Sequence, residues 1–294
     1  MTTMELIKAL RDRTGAGLTD CKKALTENGD DLEKATDWLR EKGIAKAAKK
    51  ADRIAAEGLT TIVSEGNYAL ICEVNSETDF VAKNEKFINF VNTIAKAMLD
   101  AKSTSVEEGL TAACEGATVN DCITNNIATI GEKLSLRRIT LVTKNDTDTF
   151  GTYLHMGGKI GTVCVLTNTD NAVVAKDVAM HIAAMSPSYV KREDIPADEI
   201  ERERHIQKEA AKNDEKLMNK PEAALEKILD GKISKWMSEI SLVDQPFFKD
   251  EGTSVGNYAS QFGSSIATFV RYAVGEGLQK REENFAEEVA KQTK

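Results

Sequence analysis

The sequence predicts an α+β fold built on two copies of a ββααβ unit, with a three-helix module before them. Three observations predict it. Within the stretch Tyr68 to Met98 the apolar period changes from two to the helical i, i+3, i+4 spacing, which marks a strand feeding a helix. The same order of hairpin, helix and strand begins again at Thr149, as in a diverged internal duplication. Residues 187–241 are highly charged, carry their own apolar stripe and interrupt the second copy.

Residues 1–43 read as a small helical bundle. Leu6, Ile7 and Leu10 mark a first helix, and Thr14-Gly15-Ala16-Gly17 breaks it with a tight turn. Thr19 or Asp20 caps a second helix carrying Cys21, Ala24 and Leu25, which Asn28-Gly29-Asp30 ends. A third carries Leu32, Ala35, Trp38 and Leu39 and stops at Gly43. Such a bundle suits docking better than catalysis. Residues 44–57 are alanine-rich helix formers without a wide apolar stripe, so they read as an exposed linker helix. Lys46, Lys49, Lys50 and Arg53 there fit a solvated face better than a phosphate site.

Residues 58–145 form the first core copy. Leu59 to Val63 and Tyr68 to Val74 are the strands of a hairpin around Glu65-Gly66-Asn67. Leu70, Cys72 and Val74 share one face and Ala69 and Ile71 the other, so both faces are expected to be covered. Phe87, Phe90, Val91, Ile94, Ala95 and Met98 line the following helix, capped by Ser76 or Thr78. Between strand and helix stands Thr78-Asp79-Phe80-Val81. Two readings of Phe80 stand side by side. It lies seven residues before Phe87, so an early helix start would put both in the core; alternatively it is an exposed aromatic anchor for a partner. A second helix, Val119 to Ile130, ends at Gly131, and Leu134 to Val142 reads as the closing strand.

Residues 146–186 and 242–277 form the second copy. Thr149 to His155, a turn at Met156-Gly157-Gly158, and Ile160 to Leu166 repeat the hairpin; Asp177 to Met185 repeats the helix. Asn168 to Asn171 occupies the junction, with Asn171 where the first copy has Phe80. A staple required by the fold would be aromatic in both copies, which favours the functional reading of Phe80. The insertion 187–241 reads as a projecting helical hairpin, with Leu225, Ile228, Leu229, Ile233, Trp236 and Met237 on one stripe. It suits either self-association or packing within its own chain. Val255 to Phe262 is helical and Ser265 to Val274 closes the copy. Residues 278–294 form a terminal module whose helix carries Phe285 and Val289.

Composition restricts the function. The net charge of −8 and a pI near 5.2 argue against broad nucleic-acid binding. Five scattered cysteines without CxxC spacing fit small buried hydrophobes in a reducing compartment. No apolar run reaches transmembrane length, so no membrane association is expected, and the N-terminus already reads as a helix start rather than a targeting peptide. GxxxxGK[ST] and HExxH are missing. His155, His181 and His205 lack metal-ligand spacing; His181 fits a satisfied core residue and His155 an exposed strand end. Glu73, Asp79 and Asp170 form no recognisable acid–base pair. The pattern points to binding without catalytic residues, metals or cofactors.

Seven segments then share a single resemblance. TGAGLTDCKKAL (14–25), EVNSETDFVAKN (73–84), IGEKLSLRR (130–138), YLHMGGKIG (153–161), AMHIAA (179–184), QPFFKD (245–250) and VGEG (274–277), in that order, closely resemble the bacterial translation elongation factor Ts family. The resemblance implies a guanine-nucleotide exchange factor, not an enzyme with catalytic residues of its own, whose partner in translation elongation is elongation factor Tu. It implies a module resembling ubiquitin-associated domains at the N-terminus, docking through Leu18, Thr19 and Lys22; some members carry a methionine pair where this chain has Leu18-Thr19. It implies that Thr78, Asp79, Phe80 and Val81 disturb the partner's magnesium site, with Phe80 as wedge and Asp79 as its anchoring acid. Ile130, Gly131, His155 and Phe285 match further contacts. It also implies a coiled-coil role for 187–241 in a homodimer or two-to-two complex, and, without a targeting segment, a bacterial cytoplasm. Two other readings are an adaptor without exchange activity and a thiol enzyme using Cys72 or Cys164; the second lacks a recognisable base.

Overall fold

Thr2 and Glu5 cap each other's backbone amides, and that reciprocal pair starts the first helix, α1 (Thr3–Thr14). Gly15, in the left-handed region at φ 67°, ends it. The computed structural model describes residues 2–214, 217 and 221–279. The expected helix around Phe285 lies outside the described residues. The chain forms two units: the first takes residues 1–142, 154–161 and from 272 onward, the second 143–153 and 162–271.

In the first unit, α1, α2 (Leu18–Glu27) and α3 (Leu32–Ala48) close on Ile7, Leu10, Cys21, Ala24, Leu25 and Ala35. Gly17, not Thr19 or Asp20, is the residue before α2. The helix expected to stop at Gly43 runs five residues further, and residues 49–53 are turn, so there is no separate linker helix over 44–57. The reason is packing. Gly43 is buried against α7 (Val119–Ile130), where a Cβ would lie 3.6 Å from that of Ala128. It sits inside the helix at a crossing and does not act as a cap.

The core of this unit is a three-stranded sheet in the order β1 (Glu57–Glu65), β2 (Tyr68–Ser76), β5 (Ser135–Thr143). β1 and β2 pair antiparallel, Glu65 opposite Tyr68 and Glu57 opposite Ser76. Central β2 is buried on both faces, as its two apolar faces predict. α5 (Glu85–Asp100) lies on the sheet through Phe87, Phe90, Val91, Ile94 and Met98. α6 (Val106–Thr111) and a short ribbon, β3 (Ala113–Cys114) with β4 (Ala117–Thr118), lead into α7.

The expected single helix after β2 is two. A four-residue turn, α4 (Asp79–Ala82), is capped by Thr78; the chain breaks at Lys83, and Asn84 caps α5 through the Lys86 amide. Asn84 competes for the backbone donors that a continuous helix would use internally.

In the second unit, β6 (Thr149–His155), β7 (Ile160–Leu166) and β10 (Ile266–Ala273) form a sheet in the order β10-β7-β6. Its central strand is again the second of the hairpin and its third strand again closes the copy, as the duplication predicts. α8 (Ala172–Met185) packs with Val255 and Ala259 of α11 (Val255–Ser260) over Cys164, Leu166 and Ile266. His181 of α8 is a buried, satisfied histidine. Its Nε2 pairs with Gln245 at 2.9 Å and its Nδ1 accepts the Phe248 amide at 3.3 Å. Phe248 lies in the turn between β8 (Pro246–Phe247) and β9 (Asp250–Ser254).

The insertion holds α9 (Ala197–Lys212) and α10 (Glu222–Ile240), with Leu229 and Ile233 buried on the expected stripe. Its two ends are joined: Ser188 and Tyr189 donate to the Ile240 carbonyl, and Leu242 donates to that of Tyr189 at 2.8 Å. Among the described residues, no helix is long and apolar enough to cross a membrane.

Candidate functional site: a clasped junction presenting an exposed phenylalanine

At the end of β2 the ladder stops and the backbone donors of Glu77 and Thr78 need new partners. Glu132, just past the left-handed Gly131 that ends α7, supplies them. Its carboxylate accepts the amides of Glu77 (3.1 Å) and Thr78 (3.0 Å) and the Thr78 hydroxyl (2.7 Å). Glu77 returns the contact, accepting the Lys133 amide at 2.6 Å and Arg53 Nη1 at 3.2 Å. Lys133 Nζ donates to the carbonyls of Ala51 and Arg53, and Lys50 Nζ to that of Gly131. Three segments, 50–53, 77–78 and 131–133, are therefore cross-linked by polar contacts. The residue that does most of this, Glu132, escapes sequence reasoning. The available signal is a carboxylate directly after a glycine helix stop, in a chain whose polar junction leaves amides unpaired.

Thr78 passes the constraint on. Having donated to the carboxylate, its hydroxyl accepts the Val81 amide at 3.4 Å, and Ser76 Oγ donates to the Thr78 carbonyl at 3.0 Å. One helical turn then distributes the next residues around its axis. Ala82 is buried and Val81 packs partly on the core, so Phe80 points outward and is 83% exposed. This excludes the core reading of Phe80. Asp79 bonds to Lys83 at 2.6 Å, one turn on. That hydrogen bond, with the charges of Lys83 and Lys159, holds its carboxyl below the usual aspartate range. The expected anchoring acid thus fixes the end of its own turn.

Capping geometry offers a second match between the copies. Thr78 caps α4 and Asn171 caps α8, each through the amide three residues on. Counted from these caps, Val173 stands where Phe80 does. Val173 is 70% exposed, so the second copy presents an aliphatic residue at the same position.

The other expected contact residues lie in three stretches of the first unit, 18–22, 130–131 and 155. Ile130 is half-buried and Gly131 exposed at the end of α7, adjoining Glu132. His155 is exposed at the end of β6, before a tight turn carrying Met156, which is 72% exposed. That turn is fixed on β1. Gly158, at φ 93°, comes so close that a Cβ would lie 2.7 Å from the Thr60 carbonyl oxygen. Thr60 Oγ donates to the Gly158 carbonyl at 2.9 Å, and Lys159 pairs with Glu57 at 2.5 Å. α4 packs on β1 as well, so the Phe80 turn and the His155 turn share one seat. Leu18, Thr19 and Lys22 are exposed on α2. Phe285 lies outside the described residues.

The thiols offer no nucleophile. Cys72 and Cys164 are fully buried, and burial pushes both up to about 12.

Two family models match the sequence. One, described as "Elongation factor TS", covers residues 77–276, more than half of the chain, beginning at the junction acid Glu77 and ending at Glu276. The other, described as "Elongation factor Ts, mitochondrial, N-terminal", covers residues 1–48, the span of α1 to α3. Because the second description is mitochondrial, the expected restriction to a bacterial cytoplasm does not carry over. With an exposed aromatic on a clasped junction at the head of the larger match, the chain belongs to the elongation factor Ts family, the nucleotide exchange factors of elongation factor Tu.

Proposed function

We propose that this chain docks on elongation factor Tu, drives Phe80 against the partner's magnesium and phosphate site, and so releases GDP for GTP to replace. The observation that carries the reading is the 83% exposure of Phe80 on a turn whose backbone is held on both sides. Such an aromatic gains little from the fold and much from a partner's pocket.

The energetics fit a binding mechanism. GDP affinity in such GTPases rests on backbone donors around the phosphates and on magnesium. A protein that binds the distorted, empty partner more tightly weakens GDP by the same factor. A loss of GDP affinity of about 10⁴-fold needs about 5.5 kcal/mol of differential contact. One anchor supplies about 2–4 kcal/mol. Further docking surface is therefore required. The three-helix module with Leu18, Thr19 and Lys22, the Ile130-Gly131 corner, the His155 turn and Phe285 are its proposed sources. No proton transfer or covalent step is involved.

The domain roles follow from the same reading. Residues 1–43 act as a module resembling ubiquitin-associated domains. The duplicated copies carry the wedge and a second partner contact. Residues 187–241 mediate a homodimer or a two-to-two complex.

The test is release of a fluorescent GDP analogue from elongation factor Tu, with this protein and with Phe80→Ala. Strong acceleration by the wild type, largely lost in the variant, supports the reading. Acceleration by both moves the energy to the docking surfaces and removes the wedge. Acceleration by neither leaves the adaptor.

A further inference from the structure

We infer that Glu132 is the positioning residue that aims Phe80, acting through Thr78 rather than by touching the partner's nucleotide site; this rests on the wedge reading above. The geometry assigns the role. An ionised carboxylate only accepts, so in the 2.7 Å contact Thr78 must be the donor. With its proton committed to Glu132, the hydroxyl turns a lone pair toward the Val81 amide and closes the cap of α4. The same carboxylate takes both amides that precede the cap. The amides of Glu77 and Thr78, and through the Thr78 hydroxyl that of Val81, are thus tied to one side chain 52 positions beyond Phe80 in the chain.

The second copy shows that the fold does not require this device. There α11 ends at Ser260 with Gln261 as a right-handed cap, and the left-handed Gly263 follows in the turn, with Ser264 next to it. Its junction is held differently. Thr167 donates to the Ser265 carbonyl at 2.9 Å, and Asp148 accepts the Asn168 amide at 3.0 Å. Two copies with the same sheet order therefore close the same junction with different chemistry. The carboxylate after the glycine stands in the copy that presents the aromatic. An anchor fixed before docking does not have to be ordered during it, and that is where affinity and rate are gained.

The experiment is a double-mutant cycle in the full-length chain. Release of the fluorescent GDP analogue is measured with wild type, Phe80→Ala, Glu132→Ala and the double variant, alongside amide hydrogen exchange at Glu77, Thr78 and Val81. Glu132→Ala is expected to slow stimulated release about tenfold, the cost of leaving about one backbone residue unordered. It is also expected to speed exchange at those three amides. In the Phe80→Ala background it is expected to slow release no further. A merely structural role predicts the same slowing in both backgrounds, and that result overturns the assignment. So does a wild-type rate from Glu132→Ala while Phe80→Ala is slow. A wild-type rate from Phe80→Ala instead overturns the wedge reading itself. If Glu132→Ala does not fold, Glu132→Gln replaces it in the cycle. Gln keeps an acceptor for the two amides but can reverse the Thr78 bond, so an intermediate rate is expected.

Discussion

Glu73, fully buried in β2, accepts a hydrogen bond from Arg138 Nε at 2.6 Å. Arg137, the Asn75 amide and the backbone amide of Gly275 complete its shell, each at 2.9–3.0 Å. One carboxylate thus ties β2 to β5 and to the chain that follows β10. Glu73→Ala strands all of these donors and is expected to cost about 3 kcal/mol, the low end for a broken buried pair because both arginines keep some water. Burial alone would push this carboxyl up, but the Gly275 amide, Arg137, Asn75 and Arg138 more than offset it and bring it below the usual glutamate range. Its contribution is therefore complete above the ordinary value and lost as pH falls below it. Urea melts should show the wild-type advantage over Glu73→Ala at neutral pH and its decline below about pH 4. A difference under about 1 kcal/mol at pH 7 would contradict the network.

Phe80 and Phe87 should separate function from stability. Phe80→Ala exposes nothing and is expected to change stability by no more than about 0.5 kcal/mol. Phe87→Ala empties a fully buried site and is expected to cost about 3–5 kcal/mol. Thermal melts of the two variants check this. A large drop for Phe80→Ala would return it to the core.

Gly43 offers a stabilising change. It sits inside α3, and an added methyl would meet Ala128 at an ordinary 3.6 Å. Gly43→Ala is expected to raise stability by up to about 1 kcal/mol through helix propensity. A lower melting temperature would mean that α3 and α7 cannot give the room.

Removal of the insertion should uncouple assembly from exchange. A short turn replacing residues 192–239 keeps the bonds that join Ser188 and Tyr189 to Ile240 and Leu242. Light scattering is expected to show less self-association, with GDP release largely retained. An unchanged mass would place self-association elsewhere.

The large features were legible because they depend on short-range pattern. The change of period around Asn75 marks β2 and α5, and the repeated order of segments marks the duplication. The failures have physical causes. Glycine stops a helix when its φ is positive, but Gly43 lies within α3 at its contact with α7, and sequence does not distinguish the two. Phe80 stood undecided because seven residues separate it from Phe87, a core spacing if one helix runs through both. The break at Lys83-Asn84 removes that register. Glu132 was invisible because its partners lie more than fifty positions away, and no local period reports such a contact.

The exposed Val173 at the matching cap position makes the chain its own control. Two tips follow a capping side chain at the same offset, one on the four-residue α4 and one on the continuous α8, and only one bears a ring. A gene duplication of this kind lets one copy preserve the architecture while the other is shaped by selection. The tip is then a site where chemical identity can drift at little cost to folding. Exchanging the two side chains between positions would ask whether specialisation resides in the residue or in the copy that carries it.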